Sequence, residues 1–193
     1  MISDNPNNGE RLLVVDDEAR ICQSLKRLLG ASGYEVRTAA SGPEALRLLE
    51  AEPFDLVLLD LMLPEMSGQE VLDRIRSEHP RIPVIMISGI ATIDAAVAAL
   101  RSGAYDFIRK PLESEELLRR VQNALAQERL AREKAAIDRE LAISERRYRY
   151  LVEGSPDLIY TLDNEGRFTF VNDAFSRLLG YGCDQMLGRH YTE

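Results

Sequence analysis

Five short apolar runs, at residues 11–16, 34–39, 55–60, 83–88 and 105–109, alternate with longer stretches whose apolar residues recur at helical spacing. Short continuous runs read as strands buried on both faces, and their alternation with helices predicts an α/β fold with a five-stranded parallel sheet covered on both sides. Two helix starts are written out. Ser41-Gly42-Pro43-Glu44 and Ser67-Gly68-Gln69-Glu70 fit the capping box, in which Ser covers an orphan amide and Glu reaches back. Gly33 is a natural stop for the first helix. From Ser114, with Glu115 and Glu116 as first-turn anions, a helical pattern runs to about Leu151 without a Gly or Pro. Leu118, Val121 and Leu125 continue the core. Leu130, Ile137, Leu141, Tyr148 and Leu151 then fall near a 3-4 spacing, with Lys134 and Ser144 at seam positions. The expectation is a long C-terminal helix whose part 126–150 forms a weak dimeric coiled coil.

After Gly154-Ser155-Pro156 the pattern changes. Leu158-Ile159-Tyr160-Thr161-Leu162 and Phe168-Thr169-Phe170-Val171 flank Asp163-Asn164-Glu165-Gly166 and read as a hairpin around a turn. Asn172-Asp173 is placed to cap a short helix that Gly180 stops. A lone hairpin is marginal in water, so residues 151–193 read as the first part of a small α+β domain.

The 193 residues suffice for one good core and part of another, and a net charge of −8 argues against a dedicated nucleic-acid surface. Cys22 and Cys183 have no partner at ligand or redox spacing and read as packing residues. Residues 1–10 are polar and read as a disordered N-terminus without signal-peptide character, and no run is long enough to span a membrane; the expected location is the cytoplasm.

Four of the predicted strands end in chemistry: Val14-Val15-Asp16-Asp17-Glu18, Leu58-Leu59-Asp60, Met86-Ile87-Ser88-Gly89 and Phe107-Ile108-Arg109-Lys110-Pro111. The carboxyl ends of parallel strands share one edge, where ligands bind in open α/β sheets. Three carboxylates, a hydroxyl and an ammonium gathered there suit a divalent cation and a phosphoryl group. Crowded carboxylates repel, so one of them should bind its proton more tightly unless a cation relieves the pair.

These motifs, in this order, resemble the receiver domain of bacterial two-component response regulators over residues 11–125. The resemblance implies a doubly wound, flavodoxin-like sheet in strand order 2-1-3-4-5. It implies Asp60 as phosphoacceptor and Asp17, Asp16, Asp60 and the Met62 carbonyl as ligands of Mg²⁺. Ser88 would be the switch hydroxyl, Lys110 its cationic partner ahead of a cis bond to Pro111, and Tyr105 the switch aromatic. The implied partner is a sensor histidine kinase or phosphotransfer protein, selected by residues of the first helix such as Ile21, Gln23 and Ser24. Gly89 through Leu112 is similar to receivers of enhancer-binding transcription activators, yet no P-loop or helix-turn-helix follows. Instead Tyr148-Arg149-Tyr150-Leu151-Val152-Glu153, Phe170-Val171-Asn172, Leu178-Leu179-Gly180-Tyr181 and Leu187-Gly188-Arg189 look like the first half of a PAS domain, for which no ligand is inferable. The resulting expectation is a Mg-dependent phosphorelay module that signals through its helix to a PAS region. Two alternatives stand beside it: the regulatory input of a histidine kinase or diguanylate cyclase, and a ligand-sensing PAS scaffold.

Overall fold

The computed structural model describes residues 9–89, 93–180 and 182–192. Most of the polar N-terminal stretch, Ile90-Ala91-Thr92, Tyr181 and Glu193 lie outside the described residues. The chain divides into two compact units, one up to Arg132 and one from Glu133 onward.

In the first unit, β1 (Arg11–Val15), β2 (Glu35–Ala39), β3 (Leu56–Asp60), β4 (Val84–Ser88) and β5 (Asp106–Arg109) form one sheet in the order β2-β1-β3-β4-β5. All pairings are parallel. The pleat sorts the apolar runs into two layers. Leu12, Val14, Leu56, Leu58, Ile85 and Ile87 pack with Cys22, Leu25 and Leu29 of α1 (Ala19–Ala31) and with Leu117, Val121, Ala124 and Leu125 of α5 (Ser114–Glu153). Leu13, Val15, Val57, Leu59, Val84 and Met86 face α2 (Gly42–Ala51), α3 (Gly68–Glu78) and α4 (Ile93–Arg101). Full burial of such a side chain contributes about 1.5–3 kcal/mol. The two cores therefore hold the strands as a stiff set and leave only their ends for chemistry.

The predicted helix signals operate with one variation. At α3, Ser67 Oγ accepts from the Glu70 amide and Glu70 returns to the Ser67 amide, a complete capping box. At α2, Ser41 Oγ accepts from the Glu44 amide, but the Glu44 carboxylate bonds the amide of Ala40. Cys22 packs in the core, where burial pushes its thiol up to about 11.

In the second unit, β6 (Tyr160–Leu162) and β7 (Phe168–Val171) form the antiparallel hairpin, followed by α6 (Ala174–Leu179) and α7 (Cys183–Met186). Asp163 Oδ1 accepts from the Glu165 and Arg167 amides and Gly166 takes a positive φ, which closes the turn. One expectation is corrected here. Asp173 stands at the start of α6 but its side chain makes no cap, and the buried Asn172 amide instead donates to the carbonyls of Val152 and Asp157. Buried polar groups must be satisfied, and Asn172 Oδ1, the atom a cap would use, accepts from the Ile159 amide at 3.0 Å. Within α5, Leu130, Ile137, Leu141, Tyr148 and Leu151 are exposed. Among the described residues no helix is long and apolar enough to cross a membrane.

Candidate acidic pocket

Because β1, β3 and β5 run parallel, Asp16 and Asp17 after β1, Asp60 at the end of β3 and Lys110 after β5 converge at one sheet edge. Carboxylate oxygens of Asp16, Asp17 and Asp60 lie within 4.8 Å of one another. Asp16 and Asp60 are buried, whereas Asp17 faces outward. Lys110 Nζ is 2.8 Å from Asp16 Oδ2 and 2.8 Å from Asp60 Oδ2, with Glu18 farther out at 3.6 Å. The Asp60 side chain is fixed on both oxygens, since Oδ1 accepts from the Met62 amide at 3.2 Å.

The electrostatics follow from burial. Burial pushes the Asp16 carboxyl above its ordinary range and the Asp60 charge adds to this, while hydrogen bonds from Lys110 and the Glu18 amide oppose it. Burial disfavours the Lys110 charge, but hydrogen bonds to Asp16 and Asp60 outweigh it and hold the ammonium well above the usual lysine range. One ammonium facing three carboxylates leaves the pocket net negative. A set of hard oxygen donors with excess negative charge fits a divalent cation such as Mg²⁺.

Ser88 is fully buried at the end of β4, one strand from Asp60, and its carbonyl accepts from the Lys110 amide at 2.8 Å. The Lys110–Pro111 peptide bond is cis. The Met62 side chain is exposed, and its amide is the group tied to Asp60.

Tyr105 is not brought to this cluster. Its amide bonds the Val84 carbonyl, which sets it level with the start of β4, about 13 Å of strand away from Ser88. Its ring packs on the core shared by α1 and α5, on the opposite face from Val84 and Met86. The aromatic on Ser88's side is Phe107, which pairs in register with Met86 and packs with that same layer. Reading the sequence missed Phe107, although an aromatic three positions before the lysine was visible. It also missed Gly68, where an added Cβ would lie 2.0 Å from the Asp60 carbonyl oxygen.

Comparison with known proteins agrees with this geometry. Residues 12–122 match the family model of the response regulator receiver domain, and residues 146–192 match a PAS domain model. The transcriptional regulatory protein ZraR of Klebsiella oxytoca is 42% identical over 126 residues, covering 64% of this chain and 28% of ZraR. The response regulator protein PilR of Pseudomonas aeruginosa is 39% identical over 132 residues, covering 68% of this chain and 30% of PilR. The chain thus spans less than a third of the length of these curated relatives. Among solved structures, NtrX of Brucella abortus bound to ADP superposes with a TM-score of 0.64 at 40% identity, over 66% of this chain and 29% of NtrX. A CheY-like receiver from Methanospirillum hungatei gives 0.61 at 36% identity, over 63% of this chain and 98% of that receiver. Strand order, the edge cluster of carboxylates and the match over more than half its length agree: this chain belongs to the response regulator receiver domain family, with a PAS domain match after the receiver.

Proposed function

We propose that the chain is a phosphoacceptor module of a two-component phosphorelay. A sensor histidine kinase or phosphotransfer protein delivers a phosphoryl group to Asp60, and α5 carries the change to the PAS segment. The observation that carries this reading is the Asp60 carboxylate, buried and oriented, with Lys110 2.8 Å away and two further carboxylates beside it.

An Asp60 oxygen attacks phosphorus as the donor's P–N bond breaks, and the electron pair of that bond leaves with the imidazole. Such a transfer is governed by alignment and by neutralising charge on the equatorial oxygens. Asp16, Asp17, Asp60 and the Met62 carbonyl are the groups that would hold Mg²⁺, which when bound supplies part of that neutralisation. Lys110 supplies the rest by leaving its carboxylate partners for the phosphoryl oxygens. Ser88 and Phe107, on one face of the sheet, are the side chains placed to respond. The donor meets a groove of about 280 Å³ between Ile21, Ser24, Leu25 and Leu28 of α1 and Lys110, Pro111 and Leu112, with Gln23 exposed on the same helix. We place the module in the cytoplasm, where such donors reside.

Mg²⁺ is expected to raise the melting temperature, by the equivalent of about 2.7 kcal/mol at a hundred times its dissociation constant. The Asp16 carboxyl has a raised pKa, so without a cation the folded state gains from its proton below the ordinary value of 3.8. That gain is lost as pH rises through the raised value. Proton and cation compete for the same oxygens, so the Mg²⁺-dependent rise should be full at neutral pH and fade on acidification through that value. Thermal scans with and without Mg²⁺ across this range, on the parent and on Asp17→Asn, test it; an equal rise in Asp17→Asn would refute the assigned ligand set.

The exposed residues Leu130, Ile137, Leu141, Tyr148 and Leu151 support pairing of α5 with a second copy of the chain. Light scattering should give twice the chain mass for the parent and the single-chain mass for Ile137→Glu combined with Leu141→Glu. A monomeric parent would end the dimer reading.

A further inference from the structure

Each strand that supplies the acidic pocket also carries, at its other end, a residue that touches α5. β1 lies between Asp16 and Glu10, β3 runs to Asp60 from Asp55, and β5 lies between Lys110 and Tyr105. At the edge away from the pocket, the Tyr105 hydroxyl donates to Gln127 Oε1 at 3.0 Å. Glu10 meets Arg129 at 3.6 Å and Asp55 meets Arg132 at 3.5 Å. Tyr34, just before β2, is buried beside the same group; burial pushes its hydroxyl up to about 12, with the Glu10 charge adding to this and Arg129 opposing it. These contacts begin after Leu125, the last large core side chain that α5 gives to this unit, and end at Arg132, where the unit ends. Leu130, the large apolar side chain between them, is 67% exposed. Polar contacts therefore hold this stretch of helix.

We propose that Glu10, Asp55 and Tyr105 form a clamp on Gln127, Arg129 and Arg132 through which occupancy of the acidic pocket is read by α5. A strand packed on both faces moves as a rod, because a core at crystal-like density does not absorb the displacement. A shift of β3 or β5 imposed at the pocket edge consequently reappears at the clamp. Half-exposed ion pairs contribute only about 0.2–1 kcal/mol each, so the clamp sits close to release. The trigger rests on the phosphoacceptor reading; the clamp itself does not.

Hydrogen exchange of the α5 amides at 126–132 tests both parts in the full chain. Without ligand, Tyr105→Phe and Arg132→Ala should each exchange about two- to fivefold faster there. Gln127→Glu, which keeps an acceptor for the Tyr105 hydroxyl, should match the parent. Unchanged exchange in both weakened variants overturns the clamp. With Mg²⁺ and beryllium fluoride, whose binding is read separately by fluorine NMR, exchange should change in the parent and not in the triple variant Gln127→Ala, Arg129→Ala, Arg132→Ala. Bound beryllium fluoride with equal changes in parent and triple variant overturns the coupling. Absence of a bound fluorine signal in the parent overturns the phosphoacceptor reading and the coupling with it, while the ligand-free comparison still decides the clamp.

Discussion

Asp60→Asn is expected to lower phosphoryl incorporation from a small phosphodonor by at least about two orders of magnitude, since the substitution removes the attacking group and leaves the rest of the pocket in place. Asp60 is the carboxylate we propose as the acceptor. Oδ1 is held by the Met62 amide and Oδ2 by Lys110, so the side chain is fixed in orientation. Asp16 is equally buried, with its Oδ1 accepting from the Glu18 amide and its Oδ2 beside Lys110, and it stands next to Asp60 as a candidate cation ligand. Asn at position 60 keeps the size and an acceptor for the Met62 amide while presenting Lys110 with no charge. Intact-mass spectrometry reads the result directly. A parent chain that gains one phosphoryl group with Mg²⁺, beside an Asp60→Asn chain that gains none, establishes the acceptor. Equal gain in both would move it to another side chain and dismantle the reading.

The sheet and most of the pocket were legible because both depend on rules with one outcome. Apolar runs of five or six residues separated by helical stretches leave parallel pairing as the economical solution, and parallel pairing puts all carboxyl ends on one edge. Asp16, Asp60 and Lys110 could be assigned to one site without knowing a single distance. Tyr105 shows where such reasoning ends. Simple alternation places residues 105 and 107 on one face, but β5 begins pairing at Asp106, and Tyr105 turns to the α5 side while Phe107 stays with Met86. Strand parity fails just before a strand's first residue, where the chain has not yet entered the regular pleat. Asn172 fails for a related reason: its position suits a local cap, but the carbonyl of Val152, 20 residues earlier in the chain, is its partner. A contact set by tertiary approach has no signature in local spacing.

Gly68→Ala should cost about 1–3 kcal/mol of stability or more, and should depress phosphoryl uptake along with it. The added Cβ would sit 2.0 Å from the Asp60 carbonyl oxygen and 2.8 Å from Leu61 Cα, both backbone atoms that no rotamer change can move aside. Relief requires the loop after β3 to back away, and that loop carries the Met62 amide that orients Asp60 and the Leu61 carbonyl that accepts from the Gly68 amide. Stability and function are therefore lost together. Gly30→Ala is the matched control. Gly30 lies in α1 with nothing within 4 Å of its would-be Cβ, so alanine there should stabilise by about 0.5–1 kcal/mol through lower unfolded-chain entropy. Urea denaturation should show the two midpoints moving in opposite directions at unchanged slope. If Gly68→Ala unfolds at the parent's midpoint, the close approach of α3 to the end of β3 is not present in solution, and the orientation of Asp60 argued from it falls.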